Sequence, residues 1–228
     1  MNTVLKHITG CVLAGGQGSR MGGVDKGLQS FNDMALAEHA LQRLAPQVDS
    51  LLINANRNPQ AYAALAEKYG ASVVADAQSD FPGPLAGFLA GLSACQTPWL
   101  LTVPCDTPLF PLDLAQRMLA AAEQYQADIV VAHGMESHQL PADADAATTE
   151  LRAQPVFCLL RAHLAPSLQA FMASGRRKID AWTAQHRCAS ASWNQPGDDL
   201  LAFANANTLA ELQALEQLAK PEGQTDKG

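Results

Sequence analysis

A glycine-rich stretch near the N-terminus constrains this chain more than any other part of its sequence. Residues 13–27 read Leu-Ala-Gly-Gly-Gln-Gly-Ser-Arg-Met-Gly-Gly-Val-Asp-Lys-Gly, and the apolar run at residues 8–13 predicts a buried first β-strand. Because glycine has no Cβ and tolerates positive φ, such a loop allows backbone N–H groups to approach a phosphate chain closely. Arg20 and Lys26 would add positive charge there. The stretch therefore predicts a phosphate-binding loop.

Two common phosphate loops do not match this stretch. Counted from Gly16 and Gly18, the third glycine of a G-x-G-x-x-G fingerprint would fall on Met21. A P-loop requires glycine before its lysine, where this chain has Asp25. The loop is therefore of a third kind, and a plain glycine-rich turn between a strand and a helix is the alternative.

Length and charge limit the function classes. The 228 residues suit one α/β domain over residues 1–219, with two small domains as the alternative. A net charge of -7 argues against nucleic acid or a membrane surface as partner, because either needs a broad basic face. The five dispersed cysteines are typical of reduced thiols in a cytoplasmic protein. We expect neither a secretory signal nor a membrane span.

Apolar periodicity and turn residues predict alternating strands and helices. The pattern predicts a Rossmann-like, doubly wound and mostly parallel sheet with helices on both faces. Residues 135–150 are acidic and alanine-rich and predict a mobile surface insertion, and residues 220–228 predict a disordered tail. The predicted strands are residues 8–13, 50–54, 71–75, 99–103, 127–132, 154–160, 188–193 and 200–204, and the predicted helices are residues 35–44, 59–69, 85–94, 112–124, 164–173, 181–185 and 209–218.

Asp106 lies in the segment Pro-Cys-Asp-Thr-Pro, directly after the predicted strand at residues 99–103. A carboxylate held rigidly at the carboxyl end of a central strand suits Mg²⁺. Such an ion would offset the negative charge of a bound phosphate chain. The alternative is a cap for a helix that begins near Pro111.

Four further segments carry polar, basic or rigid turn residues. Asn54 opens a polar cluster after the second predicted strand, where open α/β sheets bind ligands. The turn at residues 82–85 is explained as well by a purely structural role as by a role in a binding site. The basic residues 176–178 are either a solvated helix start or an anion-binding group. Residues 205–208 read Asn-Ala-Asn-Thr and also suit a helix cap.

The combination of segments resembles the nucleotidyltransferases, and most specifically the molybdenum cofactor guanylyltransferases. Leu-Ala-Gly-Gly at residues 13–16, Arg-Met-Gly-Gly at residues 20–23 and Asp-Lys-Gly at residues 25–27 carry the resemblance. Pro-Gly-Pro-Leu-Ala-Gly, Pro-Cys-Asp-Thr-Pro and Asn-Ala-Asn-Thr also match this family. Gln154-Pro155 departs from it, since the family usually has His-Pro there.

The resemblance implies GMP transfer from GTP to molybdopterin. The terminal phosphate of molybdopterin would attack the α-phosphorus of GTP in line, and pyrophosphate would leave. Such a reaction depends on positioning and charge neutralisation rather than on a covalent intermediate. The implied catalytic residues are Arg20, Lys26 and Asp106; the implied GTP contacts are Leu13, Ala14, Gly15, Gly16, Lys26, Asn54, Asp76 and Asp106; the implied Mg²⁺ ligand is Asp106; and the implied acceptor contacts are Pro82, Gly83, Pro84, Leu85, Arg176, Arg177, Lys178, Asn205 and Asn207.

Other functions remain open at the level of sequence. A molybdopterin cytidylyltransferase is one, although its relatives tend to carry Leu-Ala-Ala-Gly where this chain has Leu-Ala-Gly-Gly. A sugar-1-phosphate nucleotidyltransferase and a non-catalytic protein that binds molybdopterin or nucleotide are the others. Partners beyond GTP and molybdopterin would be proteins that deliver molybdopterin or mature molybdoenzymes.

Overall fold

The computed structural model describes residues 7–15, 24–76, 83–137 and 149–219, without the side chains of residues 136, 137 and 149. Strands and helices alternate over most of this length. The strands are β1 (Ile8–Leu13), β2 (Ser30–Phe31), β3 (Met34–Ala35), β4 (Ser50–Asn54), β5 (Ala71–Val74), β6 (Trp99–Pro104), β7 (Ile129–Ser137), β8 (Thr149–Arg161) and β9 (Cys188–Trp193). The helices are α1 (Leu36–Leu44), α2 (Pro59–Tyr69), α3 (Pro84–Ala94), α4 (Leu114–Gln124), α5 (Ala165–Ala173), α6 (Ile179–Thr183) and α7 (Leu209–Ala219).

Seven of these strands form one sheet in the order β5-β4-β1-β6-β8-β7-β9. Strands β5, β4, β1 and β6 run parallel to each other, as expected. Strand β8 is antiparallel to both of its neighbours, β6 and β7, which the sequence pattern did not predict. Antiparallel neighbours need no helical crossover, and none separates β7 from β8 in the part of the chain that the structure describes.

The two faces of the sheet carry separate apolar cores. Helices α1, α2 and α4 pack on one face, through side chains such as Leu41, Tyr62 and Met118. Helices α3, α5 and α6 pack on the other, through side chains such as Phe88 and Trp182. Both faces are covered because successive parallel strands need crossover helices. The predicted doubly wound fold is therefore confirmed.

Several predicted boundaries differ from the structure. Strands β7 and β8 extend into the expected insertion at residues 135–150 from its two ends. Residues 138–148 of this insertion lie outside the described residues, and so does the expected tail at residues 220–228. The register of β7 against β8 shifts between Val131 and Ala132, which leaves room in β8 for Pro155. No helix in the described ranges is long and apolar enough to cross a membrane.

The predicted strand at residues 200–204 is wrong. This segment forms turns, in which Ala202 N donates to Asp199 O at 3.1 Å and Ala204 N donates to Leu201 O at 2.9 Å. The carboxylate of Asp199 also accepts from Leu201 N at 2.8 Å. Aspartate competes in this way with strand formation by bonding the backbone locally.

Helix α7 packs on the hairpin formed by β2 and β3. Phe31, Leu36, Ala206, Leu212 and Leu215 form this small apolar cluster. The packing brings residues near the end of the described chain back to the segment that follows the glycine-rich loop.

Candidate active site

The carboxyl ends of β5, β4, β1 and β6 share one edge of the sheet. After β1 the chain moves outward to β4 and β5 and then returns to the other side of β1 with β6, so the topological switch point lies between β1 and β6. Leu13 is paired with Asn54 on one side and with Pro104 on the other. Ligands bind at such a switch point in open α/β sheets.

Lys26 meets two residues from distant parts of the chain at this edge. Its ammonium group donates to Asp106 Oδ2 at 2.7 Å and to Asn207 Oδ1 at 3.0 Å. The Lys26 and Asp106 side chains are 18% and 24% exposed, so a ligand can reach both. The structure thus assembles one charged cluster from three predicted site residues.

Asp106 does not cap the helix that follows it. Helix α4 begins at Leu114, whereas the Asp106 carboxylate is bonded to Lys26 and lies 3.4 Å from the hydroxyl group of Thr107. Burial raises the pKa of the neighbouring Cys105 thiol, and the Asp106 charge acts in the same direction. Cys105 is therefore a protonated packing residue rather than a nucleophile.

A second polar cluster lies at the ends of β4 and β5. Asn54 Nδ2 donates to Asp76 Oδ1 at 2.8 Å, and Asn56 Nδ2 donates to Asp76 Oδ2 at 2.7 Å. Asp76 N donates in turn to Asn56 Oδ1 at 2.8 Å. The two amide groups fix the orientation of a carboxylate whose oxygens have further lone pairs.

The two clusters lie at a distance that suits a nucleoside triphosphate. Strands β5 and β6 are separated by β4 and β1, and neighbouring strands lie about 4.8 Å apart. Asp76 and Asp106 follow strand ends that are thus about 14 Å apart. One cluster can face a nucleoside while the other faces the phosphate chain.

The segment before α7 is anchored at the site by its own backbone. Ala206 N donates to Asp106 O at 3.1 Å, and Asn207 N donates to the carboxylate of Glu211 at 2.6 Å. Thr208 Oγ1 accepts from Glu211 N at 3.1 Å, which confirms the helix cap expected at residues 205–208. Capping and site formation coexist here, because Asn207 directs its side chain toward Lys26.

The other predicted acceptor segments carry local structural contacts. Gly83 and Pro84 are exposed at the start of α3, whereas Leu85 is buried in the core. Arg177 Nη1 donates to Met172 O at 2.8 Å. The guanidinium group of Arg176 lies 5.6 Å from the centre of the Phe171 ring. Of the remaining predicted site residues, Gly16, Arg20 and Pro82 lie outside the described residues.

Sequence reasoning did not assign several residues that the structure places in or beside the clusters. Asn56 belongs to the polar segment after β4, but only Asn54 had been singled out there. Asp25 is part of the recognised motif, yet no role had been given to it. The buried Tyr62 on α2, which bonds Asp25, had no signal in the sequence that distinguishes it from an ordinary core tyrosine.

Solved structures with this fold include nucleotidyltransferases. That class of chemistry suits the lysine, the carboxylate and the second polar cluster along this sheet edge. Molybdopterin-guanine dinucleotide biosynthesis protein A from Archaeoglobus fulgidus superposes with a TM-score of 0.69 at 19% identity, covering 92% of this chain and 97% of that one. 4-Diphosphocytidyl-2C-methyl-D-erythritol synthase from Anaerococcus prevotii gives 0.66 at 12% identity, covering 93% and 98%. These likenesses establish the fold.

Sequence similarity makes the assignment specific. Residues 10–191 match the MobA-like NTP transferase domain. A molybdenum cofactor guanylyltransferase from Acidovorax ebreus is 59% identical over 211 residues, which cover 92% of this chain and 96% of that relative. The chain therefore belongs to the MobA-like NTP transferase family, among the molybdenum cofactor guanylyltransferases. The predicted family and the predicted enzyme class are confirmed.

Proposed function

We propose that the chain transfers GMP from GTP to molybdopterin, releasing pyrophosphate and forming molybdopterin guanine dinucleotide, through the two clusters at the sheet edge. The observation that carries the residue assignment is the contact of Lys26 with Asp106 and Asn207. Three segments that are far apart in sequence meet there, at the topological switch point where this type of fold binds ligands.

GTP would lie along the sheet edge. Asn54 and Asp76 would contact the nucleoside, with residues 13–16 near base and ribose. An ionised carboxylate only accepts hydrogen bonds, so Asp76 suits the N–H donors of guanine. Lys26 and Arg20 would bind the phosphates, since cations are needed to hold a triphosphate in a protein of net charge -7.

Asp106 would hold a divalent metal ion, for which we propose Mg²⁺. Within the described ranges, no three His, Cys, Asp or Glu side chains come together as a metal site. A single accessible carboxylate nevertheless fits, because Mg²⁺ is commonly held by one or two carboxylates together with substrate phosphates and water. When bound, the ion would neutralise charge on the triphosphate.

The chemistry requires positioning more than a reactive side chain. The terminal phosphate of molybdopterin attacks the α-phosphorus of GTP, a new P–O bond forms, and the bond to pyrophosphate breaks on the opposite side. Lys26 stabilises negative charge on the phosphates, and Asn207 helps to hold the lysine in place. The raised pKa of Cys105 agrees with a direct transfer that uses no thiol nucleophile.

Acceptor recognition would use the surfaces that flank Lys26. Asn207 belongs to the cluster, and its Nδ2 donates to Asn205 Oδ1 at 3.3 Å. The turn at residues 82–85 and the basic residues 176–178 would extend this surface toward the anionic pterin. We also propose a cytoplasmic location and contact with proteins that deliver molybdopterin or mature molybdoenzymes.

Calorimetry with separate nucleotides, followed by a pyrophosphate-release assay, tests the function. GTP, CTP and ATP are titrated with Mg²⁺ present, and the assay is run with and without molybdopterin. We expect selective GTP binding and pyrophosphate release only when molybdopterin is added. Preference for CTP would indicate a cytidylyltransferase, and release with a sugar 1-phosphate would change the acceptor. A lack of nucleotide binding would contradict an enzymatic role.

A pair of aspartate variants tests the site. Asp106→Ala should nearly abolish turnover while the protein remains folded, because its carboxylate faces the reacting phosphates. Asp180→Ala is the matched control, since Asp180 is an exposed carboxylate on α6. Wild-type turnover of Asp106→Ala would remove Asp106 from the proposed site.

A further inference from the structure

A buried carboxylate lies directly before Lys26 and is held by donors from helix α2 and from its N-cap residue. Asp25 is only 7% exposed. Tyr62 donates its hydroxyl hydrogen to Asp25 Oδ1 at 2.7 Å, and Asn58 Nδ2 donates to Oδ2 at 2.8 Å. Gly27 N also donates to Oδ1, at 3.2 Å. Both carboxylate oxygens are thus fixed, by groups 33 and 37 residues away as well as by the local backbone.

The residues around this carboxylate are fitted closely to one another. A Cβ at Gly27 would lie 2.4 Å from the hydroxyl oxygen of Tyr62, so a larger residue would displace the tyrosine. Asn58 has a left-handed backbone with φ of 49°, which few residues other than glycine adopt readily. From this conformation its side chain bonds Asp25.

Lys26 lies between two residues that this arrangement locks. It begins a short 3-10 helix at Lys26–Leu28, for which Asp25 is the cap. Leu28 N donates to Asp25 O at 3.2 Å, and Gln29 N donates to Lys26 O at 3.1 Å. The backbone of Lys26 is therefore fixed, although its side chain is long and flexible. A fixed starting point reduces the conformational entropy that is lost when the ammonium group binds a ligand.

We propose that Tyr62 and Asn58 are positioning residues of the nucleotide site: through Asp25 they hold Lys26 where its ammonium group meets the phosphates of GTP. This inference rests on the proposed function, in which Lys26 binds those phosphates. It gives the order of the Asp-Lys-Gly segment a physical reason within this chain. Asp25 and Gly27 fit Tyr62, and only Lys26 between them faces the ligand.

Tyr62→Phe separates positioning from packing. The Tyr62 ring is fully buried in the core on the face of α1 and α2, and phenylalanine keeps that ring while removing only the hydroxyl group. Tyr69→Phe is the matched control, because Tyr69 lies on the same helix and its hydroxyl group is bonded to Glu38 at 3.3 Å. Thermal unfolding of both variants verifies that they are folded.

The experiment measures binding of GTP and of guanosine, which has no phosphate, by calorimetry. The proteins are wild type, Tyr62→Phe, Tyr69→Phe, Lys26→Ala and the double variant Tyr62→Phe/Lys26→Ala. Tyr62→Phe should weaken GTP binding about tenfold, the size expected for losing one hydrogen bond to a charged group, and leave guanosine binding unchanged. Tyr69→Phe should bind both ligands as wild type does. In the Lys26→Ala background, Tyr62→Phe should have no further effect on GTP.

The possible failures are distinguishable. If Lys26→Ala weakens GTP binding but Tyr62→Phe does not, the positioning role is wrong and the proposed site remains. If Tyr62→Phe weakens GTP and guanosine equally, or acts equally without Lys26, its effect is on the fold and the positioning role is again wrong. If Lys26→Ala binds GTP as wild type does, the phosphate role of Lys26 fails, and the inference that depends on it fails too.

Discussion

Gly134→Ala should destabilise the protein through a single aromatic ring. A Cβ at Gly134 would lie 2.0 Å from Cδ2 and 2.6 Å from Cγ of Phe203. Carbon atoms in contact lie about 3.5 Å apart or more, so the ring would have to move by about 1.5 Å. Phe203 is buried against Phe157 and Trp193, with ring centres 5.2 and 5.4 Å away. There is little space into which the ring can move.

The magnitude follows from the two ways in which the ring can respond. Repacking in place corresponds to an overpacked core and costs about 1–3 kcal/mol. Complete expulsion of the Phe203 ring from the core costs about 3–5 kcal/mol. We therefore expect Gly134→Ala to lower the free energy of unfolding by about 3 kcal/mol. Urea unfolding followed by circular dichroism measures this change as a lower midpoint with an unchanged slope.

A double-mutant cycle isolates the cause. In a Phe203→Ala background no ring opposes the new methyl group, so Gly134→Ala should change the free energy of unfolding by less than about 0.5 kcal/mol. An unchanged urea midpoint of Gly134→Ala in the wild-type background would refute the reasoning. So would an equal loss of stability with and without Phe203.

Three further outcomes follow from contacts in the structure. Arg117→Ala should lower the free energy of unfolding in urea by about 2 kcal/mol, a value between those for exposed and buried ion pairs. The reason is that Arg117 bonds Asp113 and Asp198 and lies over the Trp193 ring. An unchanged urea midpoint would contradict this. The hydrogen bond from Arg117 lowers the pKa of Asp198 in the folded state. The stability that this bond contributes is therefore present above the unfolded pKa of about 3.9 and is lost as the pH falls through the folded pKa. The free energy of unfolding, measured from pH 5 to pH 2, should therefore fall less steeply below about pH 4 in Asp198→Asn than in wild type. Asn56→Ala removes two hydrogen bonds to Asp76 and should weaken GTP binding, measured by calorimetry, about tenfold. Stability should change little, because Asn56 is exposed. An equal loss of affinity for free pyrophosphate would argue against an effect on nucleoside binding.

Local patterns in the sequence were sufficient for most of the fold. The strands at Ile8–Leu13, Ser50–Asn54 and Cys188–Trp193 have the predicted bounds, because short apolar runs between turn residues depend mainly on local propensity and burial. The direction of β8 was not predictable in this way. Its apolar run has the same pattern whether it pairs parallel or antiparallel, and the neighbouring strand decides between them.

The candidate site, like the fold, was only partly predictable from the sequence. The motif around Lys26 and the carboxylate after β6 were recognised from residue types at strand ends, because the carboxyl ends of parallel strands share one edge. Asn56 and Tyr62 were not, since a polar residue after a strand and an aromatic residue on a helix have many ordinary roles. Their contacts with Asp76 and Asp25 join residues 20 and 37 positions apart.

The sequence by itself therefore determined the order of most strands and helices and the residue types available for nucleotide chemistry. Only the tertiary structure decided that Lys26, Asp106 and Asn207 meet within hydrogen-bonding distance, and that Tyr62 of helix α2 bonds Asp25, the residue before the lysine. The physical reason is that local propensity acts over a few neighbouring residues. Contacts between distant segments depend on how the sheet and helices pack around one another.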